Sequence, residues 1–258
     1  MAAELKSHCV GHTMVLSLSD AMGKNTLGPD IYAAGIEALN AADSSAEVRS
    51  VVLTGEGKLF SAGGDLKRLR ANRLLDPAVQ AHSIDQLHNW IATIHSFPKP
   101  VIAAVEGAAA GAGFSLALAC DFVVAARSAV FVMSYSHVAL SPDGGGSWAL
   151  GRTLPRALAM ECLMRGSRIS AERLHQLGLV NQLSEDAQAL HDALTLADSL
   201  NQRAPNVLAS IKELVNDAPW QPLHQHLQSE RRHFVRNLFH ANAAEGIDAF
   251  LSKRTPNY

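Results

Sequence analysis

Apolar residues in the first two-thirds of the chain fall into short continuous runs, separated by turn residues and by stretches with a helical period. His12 to Leu18 is a β-prone run. Pro29 then opens an alanine-rich segment over residues 30–42, with Ile31, Gly35, Ala38 and Leu39 on one face; proline is well tolerated in a first helical turn. Val51 to Thr54 predicts a buried strand that stops at Gly55, residues 84–95 a helix, and Val101 to Val105 a second apolar strand. Small residues fill 107–113 as a loop, 114–119 reads as a helix, and 122–126 and 130–133 as two more strands. After Gly145 the strand signals nearly vanish, and helical patterns cover 157–165, 170–177, 186–203, 207–216, 223–239 and 243–252. The pattern predicts an α/β core followed by a helical C-terminal part.

The chain has 258 residues, enough to bury one large core. Its net charge is −2 and its pI is near 6.6, so nucleic acid and anionic membranes are poor partners, and a polyanionic ligand would need a local basic cluster. Cys9, Cys120 and Cys162 are odd in number and widely spaced; they form neither a disulfide framework nor a metal motif, which fits a reducing cytoplasm. No apolar signal core opens the sequence. The most apolar stretch, 101–132, is interrupted by Glu106, Asp121, Arg127 and several glycines, so it reads as buried strands and a helix rather than a membrane span. No cluster with metal-ligand spacing is present.

Two glycine-rich segments stand next to predicted helices: Phe60-Ser61-Ala62-Gly63-Gly64-Asp65-Leu66 and Gly107-Ala108-Ala109-Ala110-Gly111-Ala112-Gly113. Small residues let a ligand approach the backbone, and unpaired N–H groups at a helix start carry positive potential. Two such loops together suit an oxyanion hole; each taken alone suits a tight turn between packed elements. Neither matches a phosphate-binding loop or a dinucleotide fingerprint.

FSAGGDLKRL (60–69), KPVIAAVEGAAAGAGFSLALACDFVVAA (99–126) and SPDGGGSWAL (141–150) occur in that order, and the sequence ends in AEGIDAFLSKRTPNY. Together these segments resemble the crotonase (enoyl-CoA hydratase/isomerase) superfamily. AARSAVFVMSYS followed by SPDGGGSW, with the EGIDAFLSKR ending, is most similar to its ring-1,2-epoxyphenylacetyl-CoA isomerases. The resemblance implies an α/β fold: a ββα spiral core over residues 1–195, a helical trimerisation region over 196–258, and a homotrimer or dimer of trimers. It implies a coenzyme A thioester as substrate, with no separate cofactor, whose carbonyl oxygen sits between the main-chain amides of Ala62 and Ala112. Met22, Lys24, the stretch Ala62, Gly63, Gly64, Asp65 and Leu66, together with Gly111, Tyr135, Phe250 and Lys253, match positions that bind the coenzyme or the acyl group. Phe250 and Lys253 match residues that reach a neighbouring subunit's coenzyme.

Hydratases of this superfamily hold water between two glutamates, and the matching positions here are Ser115 and Tyr135. Between Gly107 and Met160 the only acids are Asp121 and Asp143. Asp121 reads as a turn or cap residue. Asp143, beside a glycine run that opens a helix, reads equally as an N-cap or as a functional acid; the resemblance implies the catalytic base. One carboxylate suits a 1,3-proton shift in a 3-enoyl thioester better than hydration. Hydration, an aryl-CoA dehalogenase-like hydrolysis with Asp143 as nucleophile and His88 and Tyr135 at the matching helper positions, and acyl-CoA binding without catalysis are the alternatives. His137 and Trp148 are candidates for the acyl pocket, Trp148 also for helix packing, and Lys67, Arg68 and Arg70 read as a solvated helix face.

Overall fold

A unit of two strands and a helix repeats along the first half of the chain in the computed structural model, which describes residues 3–20 and 24–258. After the edge strand β1 (Glu4–Val10), the first unit is β2 (Thr13–Ser19), β3 (Thr26–Leu27) and α1 (Pro29–Ser44). The second is β4 (Ser50–Gly55), β5 (Gly63–Gly64), α2 (Leu66–Asn72) and α3 (Pro77–Ser96). The third is β6 (Val101–Val105), β7 (Ala108–Ala110) and α4 (Ala112–Ala119). Then come β8 (Phe122–Ala126), β9 (Val130–Val132), α5 (Gly146–Thr153), α6 (Arg156–Met160), β10 (Ile169–Ser170), α7 (Ala171–Gln176), β11 (Gln182–Ser184) and α8 (Ala189–Asn201). The chain finishes in α9 (Pro205–Asp217), α10 (Leu223–Leu238) and α11 (Ala241–Leu251).

The first strand of each unit joins a six-stranded sheet of order β1-β2-β4-β6-β8-β11, parallel except for β1. The second strand turns away from it: β3 pairs with β5, Ser61 bridges to Ala109, and β7 pairs with β9 and β9 with β10. The path is therefore a spiral with two walls. A parallel sheet covered on both faces needs strands that are apolar throughout, and β4 and β6 are buried at nearly every position. One face carries the main core, with Leu53, Ala103 and Phe114. The other is covered by α8, whose Ala193 and Ala197 meet Val52, Ile102, Ala104 and Val124. These small residues are one turn apart and let the helix lie close. A division at 195/196 falls inside α8, so the packed core runs through Asn201.

Three elements differ from the sequence pattern. β1 is almost wholly exposed and shows no apolar alternation, yet it pairs with β2 along its length. The loop expected at 107–113 contains β7, three alanines with little β propensity, held in place by Ser61 on one side and β9 on the other. The helix expected over 157–165 is α6 followed by a π-helical turn, Glu161–Arg165, that closes on Gly166 at φ 57°. The glycine on the apolar face of α1 is a contact requirement: a Cβ at Gly35 would collide with the indole of Trp90 on α3.

Among the described residues no helix is long and apolar enough to cross a membrane.

Candidate active site

The two glycine loops meet. Ser61 N–H donates to the Ala108 carbonyl at 3.0 Å, and Ala110 N–H donates to the Ser61 carbonyl at 2.9 Å. Gly63 lies so close to β7 that a Cβ there would stand 2.5 Å from the Ala110 carbonyl oxygen and 3.2 Å from the Ala112 nitrogen. Gly63 also has φ 83°, a conformation that side chains disfavour. Ala112 is the first residue of α4, so its N–H has no partner within the helix. Its peptide is oriented by Gly111 at φ 51° and ψ −122°, available only to glycine. Ala62 is otherwise placed than expected: its N–H already donates to the Lys24 carbonyl at 2.9 Å, so it is not a free oxyanion donor. The Gly63 N–H faces Ser61 Oγ at 3.1 Å. Of this loop, Gly63 is the residue that stands beside the Ala112 amide.

Asp143 is not a helix cap. Gly145, at φ 77°, is the N-cap of α5 and no side chain caps that helix. The Asp143 carboxylate instead accepts a hydrogen bond from Tyr135 Oη at 2.5 Å. Ser115 Oγ donates to the Asp143 main-chain carbonyl at 3.0 Å. The two positions at which the resemblance placed glutamates thus both hold the single aspartate. Tyr135 belongs to a 3₁₀ turn, Ser134–Val138, directly after β9, and Ser115 lies on α4 one turn beyond Ala112. The glycines around Asp143 are needed for this fit: a Cβ on Gly146 would lie 2.5 Å from Ser115 Oγ, and one on Gly144 3.1 Å from Ser115 Cβ.

Burial holds the Asp143 carboxyl above the usual carboxylate range. The Tyr135 hydrogen bond and the charges of His88 and Arg68 pull partly the other way. Among the described residues no acidic side chain contributes to that shift. Burial and the neighbouring Asp143 charge push the Tyr135 phenol far up, so it stays a proton donor. A Tyr135→Phe variant removes a hydrogen bond made to the ionised carboxylate. The Asp143 pKa then rises further, and the acid limb of the kcat/KM–pH profile moves to higher pH. Rate measurements across pH check this; an unmoved acid limb refutes the coupling.

The remaining residues separate. Asp65 caps α2, accepting from Lys67 N–H at 2.8 Å. Leu66 is exposed and Gly64 half-buried beside it. Lys24 is exposed, next to Ala62 through its carbonyl. Met22 lies outside the described residues. Phe250 is 82% exposed on α11, and Lys253 follows that helix in solvent. His137 is turned away, its Nε2 at 2.9 Å from the Arg165 carbonyl. Trp148 packs: it stacks on Trp220 with centroids 6.4 Å apart, meets His95 edge-on and carries Arg152 over its ring. Trp148, His95 and Arg152 line a cavity of about 680 Å³ between the core and α9, and Asp143 does not line it. Asp121 is structural, accepting from Val101 N–H and from Lys212 Nζ, each at 2.8 Å. Arg68 is a correction: it is half-buried rather than solvated, and Ser83 Oγ accepts from its Nη1 at 2.8 Å. Its position on a short helix rich in cations hid it, because its partners Ser83 and Leu27 lie on other elements. Among the described residues no group of side chains is arranged to hold a metal.

The model of the family described as "Enoyl-CoA hydratase/isomerase" matches residues 12–258. The chain belongs to the enoyl-CoA hydratase/isomerase family. It is 37% identical over 257 residues to the 1,2-epoxyphenylacetyl-CoA isomerase of Escherichia coli K12, covering 98% of this chain and 97% of the relative. It is 32% identical over 245 residues to the 2,3-dehydroadipyl-CoA hydratase of the same organism, covering 95% and 94%. Among solved structures, an enoyl-CoA hydratase from Polaromonas sp. JS666 has a TM-score of 0.98 at 66% identity and covers 98% of this chain and 99% of its own. The two-walled spiral with its C-terminal helices is the crotonase fold of this enoyl-CoA hydratase/isomerase family, and the family acts on acyl-CoA thioesters.

Proposed function

We propose that this family member shifts a double bond, converting a 3-enoyl-CoA to the 2-enoyl isomer. The observation that carries the reading is that Ser115 and Tyr135 both hold Asp143 and no second carboxylate acts on it. With Tyr135 on Oδ1, Oδ2 is the atom left to move a proton. It takes a proton from C2, and the C–H electron pair passes into the thioester as a dienolate. The same oxygen returns the proton to C4, leaving the double bond between C2 and C3. Negative charge on the thioester oxygen is held by the Ala112 N–H and, in place of Ala62, by the Gly64 N–H, with a donor of this kind contributing about 3 kcal/mol. Burial of Asp143 keeps it basic enough for the task.

The coenzyme lies along Lys24 and the strip from Ala62 to Leu66. Phe250 and Lys253 serve a neighbouring subunit in a trimer or dimer of trimers, supported by the exposed Phe234, Ile247, Phe250 and Leu251 of α10 and α11 and by Phe239 between them. The enzyme works in the cytoplasm.

The 66% identical Polaromonas structure bears the name hydratase, so hydration is the competing reading. The two separate on 3-hexenoyl-CoA and crotonyl-CoA assayed in deuterated water. Isomerisation predicts conversion of the first with deuterium exchange, and hydration of the second lower by about 100-fold or more in kcat/KM. Comparable or faster hydration of crotonyl-CoA gives the hydratase reading instead.

A further inference from the structure

Arg68 has no counterpart in the reaction just described. It stands on α2, one turn past the glycine loop, with Nη1 donating to Ser83 Oγ at 2.8 Å and Nη2 reaching the Leu27 carbonyl at 3.5 Å. Its Nε is buried and has no hydrogen-bond partner. Among the described residues no carboxylate lies within ion-pair distance of it. A half-buried guanidinium held by the Ser83 hydroxyl, the Leu27 carbonyl and the Tyr32 phenol, with no carboxylate beside it, keeps charge to spare, and buried charges are ordinarily paired.

The surroundings place this cation relative to the reacting centre. Along α3, Ser83 holds Arg68, and Leu87, one turn later, stands 3.5 Å from where a Cβ on Gly144 would be. Four residues of helix span about 6 Å, so Arg68 sits about one helical turn from the Asp143 loop. The guanidinium also acts on Asp143 and on the buried phenol of Tyr32, lowering both against the upward push of burial. It therefore faces the interior shared by α1, α3 and the Asp143 loop.

We infer that Arg68 is a specificity-determining residue at the far end of the acyl pocket, and that the preferred substrate is a short acyl thioester with a carboxylate at its distal end. This rests on Asp143 marking the reacting carbons, as in the proposed isomerisation. A terminal carboxylate two or three carbons beyond them meets the guanidinium fork, whose planar donors match it in pairs. The plainer role, tying α2 to α3 and β3, uses the same Ser83 and Leu27 contacts but leaves Nε unpaired.

The test compares six-carbon 3-enoyl-CoA substrates, one ending in methyl and one in carboxylate, with the wild-type enzyme and Arg68→Met. Wild type is expected to favour the carboxylate by about tenfold or more in kcat/KM. Arg68→Met is expected to abolish that preference, the carboxylate substrate falling at least about tenfold further than the neutral one. A parallel fall on both substrates assigns Arg68 to structure alone and overturns the inference, as does a wild-type preference for the methyl ending. Binding of the saturated analogues by calorimetry reads the same discrimination without turnover. Selective binding with no turnover of either 3-enoyl substrate rejects the isomerase reading while leaving the Arg68 assignment standing.

Discussion

Asp143→Asn is expected to lower kcat for the 3-enoyl thioester by about 10³- to 10⁴-fold, with the dissociation constant of the acyl-CoA nearly unchanged. The substitution is close to isosteric. Asn Oδ1 still accepts from Tyr135, and the Ser115 bond goes to the main chain and is untouched. What is lost is the carboxylate that the proposed reaction uses to take the proton. Stability gives an independent reading. Burial raises the Asp143 pKa above its unfolded value, so its contribution to folding is fully present below the unfolded pKa and is lost as pH rises through the folded one. At pH 7 the ionised group is a liability to the fold, and the neutral amide relieves it. The variant should therefore melt at the same or a higher temperature than wild type at pH 7, with the advantage vanishing towards pH 3. Near-wild-type turnover removes Asp143 from the mechanism. Lost turnover with a lowered melting temperature at pH 7 points to a folding defect and not to chemistry.

On the proposed isomerisation one acid suffices. Hydration must hold and split a water; moving a proton between C2 and C4 needs one base that reaches both carbons and an anion hole that holds charge between the two transfers. Tyr135 serves that cycle in both halves. Its phenol stabilises the carboxylate before proton removal. Its own high pKa keeps it from surrendering the proton when Asp143 is charged.

How much of this was legible in the sequence depends on whether a residue's role is local. The buried strands Val51 to Thr54 and Val101 to Val105 show themselves because both faces are covered, so every position must be apolar. β1 does not, since it lies at the sheet edge with mostly exposed side chains and is fixed by pairing alone. Asp143 was visible as an acid beside three glycines, but cap and catalyst look alike in one dimension. The Gly145 N-cap rules out the first, and the proposed catalytic role rests on the placement of Tyr135 and Ser115, 8 and 28 residues away. The direction of an amide is less legible still. Ala62 and Gly64 differ by a half-turn of chain, and the partner that occupies the Ala62 N–H is the Lys24 carbonyl, which no spacing rule reveals. Arg68 sat among Lys67 and Arg70 and read as solvated, because its burial comes from Ser83 and Leu27 on other elements.

Ala112→Pro tests the anion hole by replacing the Ala112 N–H with the ring Cδ, which removes the donor and occupies the space in front of it. Ala112 is the first residue of α4, where proline is favoured and the N–H has no helical acceptor to lose. The preceding Gly111, at φ 51° and ψ −122°, is in the mirror image of the extended region, and so avoids the helical conformation that proline disfavours in its neighbour. The first helical bond, from Ser115 N–H to the Gly111 carbonyl at 3.0 Å, is made by other atoms and survives. Stability should therefore change little, while the thioester oxygen loses one of its two donors at the point where charge develops. The expected cost is about 10²- to 10³-fold in kcat. Free coenzyme A has no thioester carbonyl and should bind as it does to wild type, which separates a missing donor from a distorted pocket. Weakened coenzyme A binding, or a melting temperature several degrees lower, assigns the loss to distortion. Retained kcat in a well-folded variant means that the carbonyl oxygen lies elsewhere and that the Gly111–Ala112 peptide is only a turn.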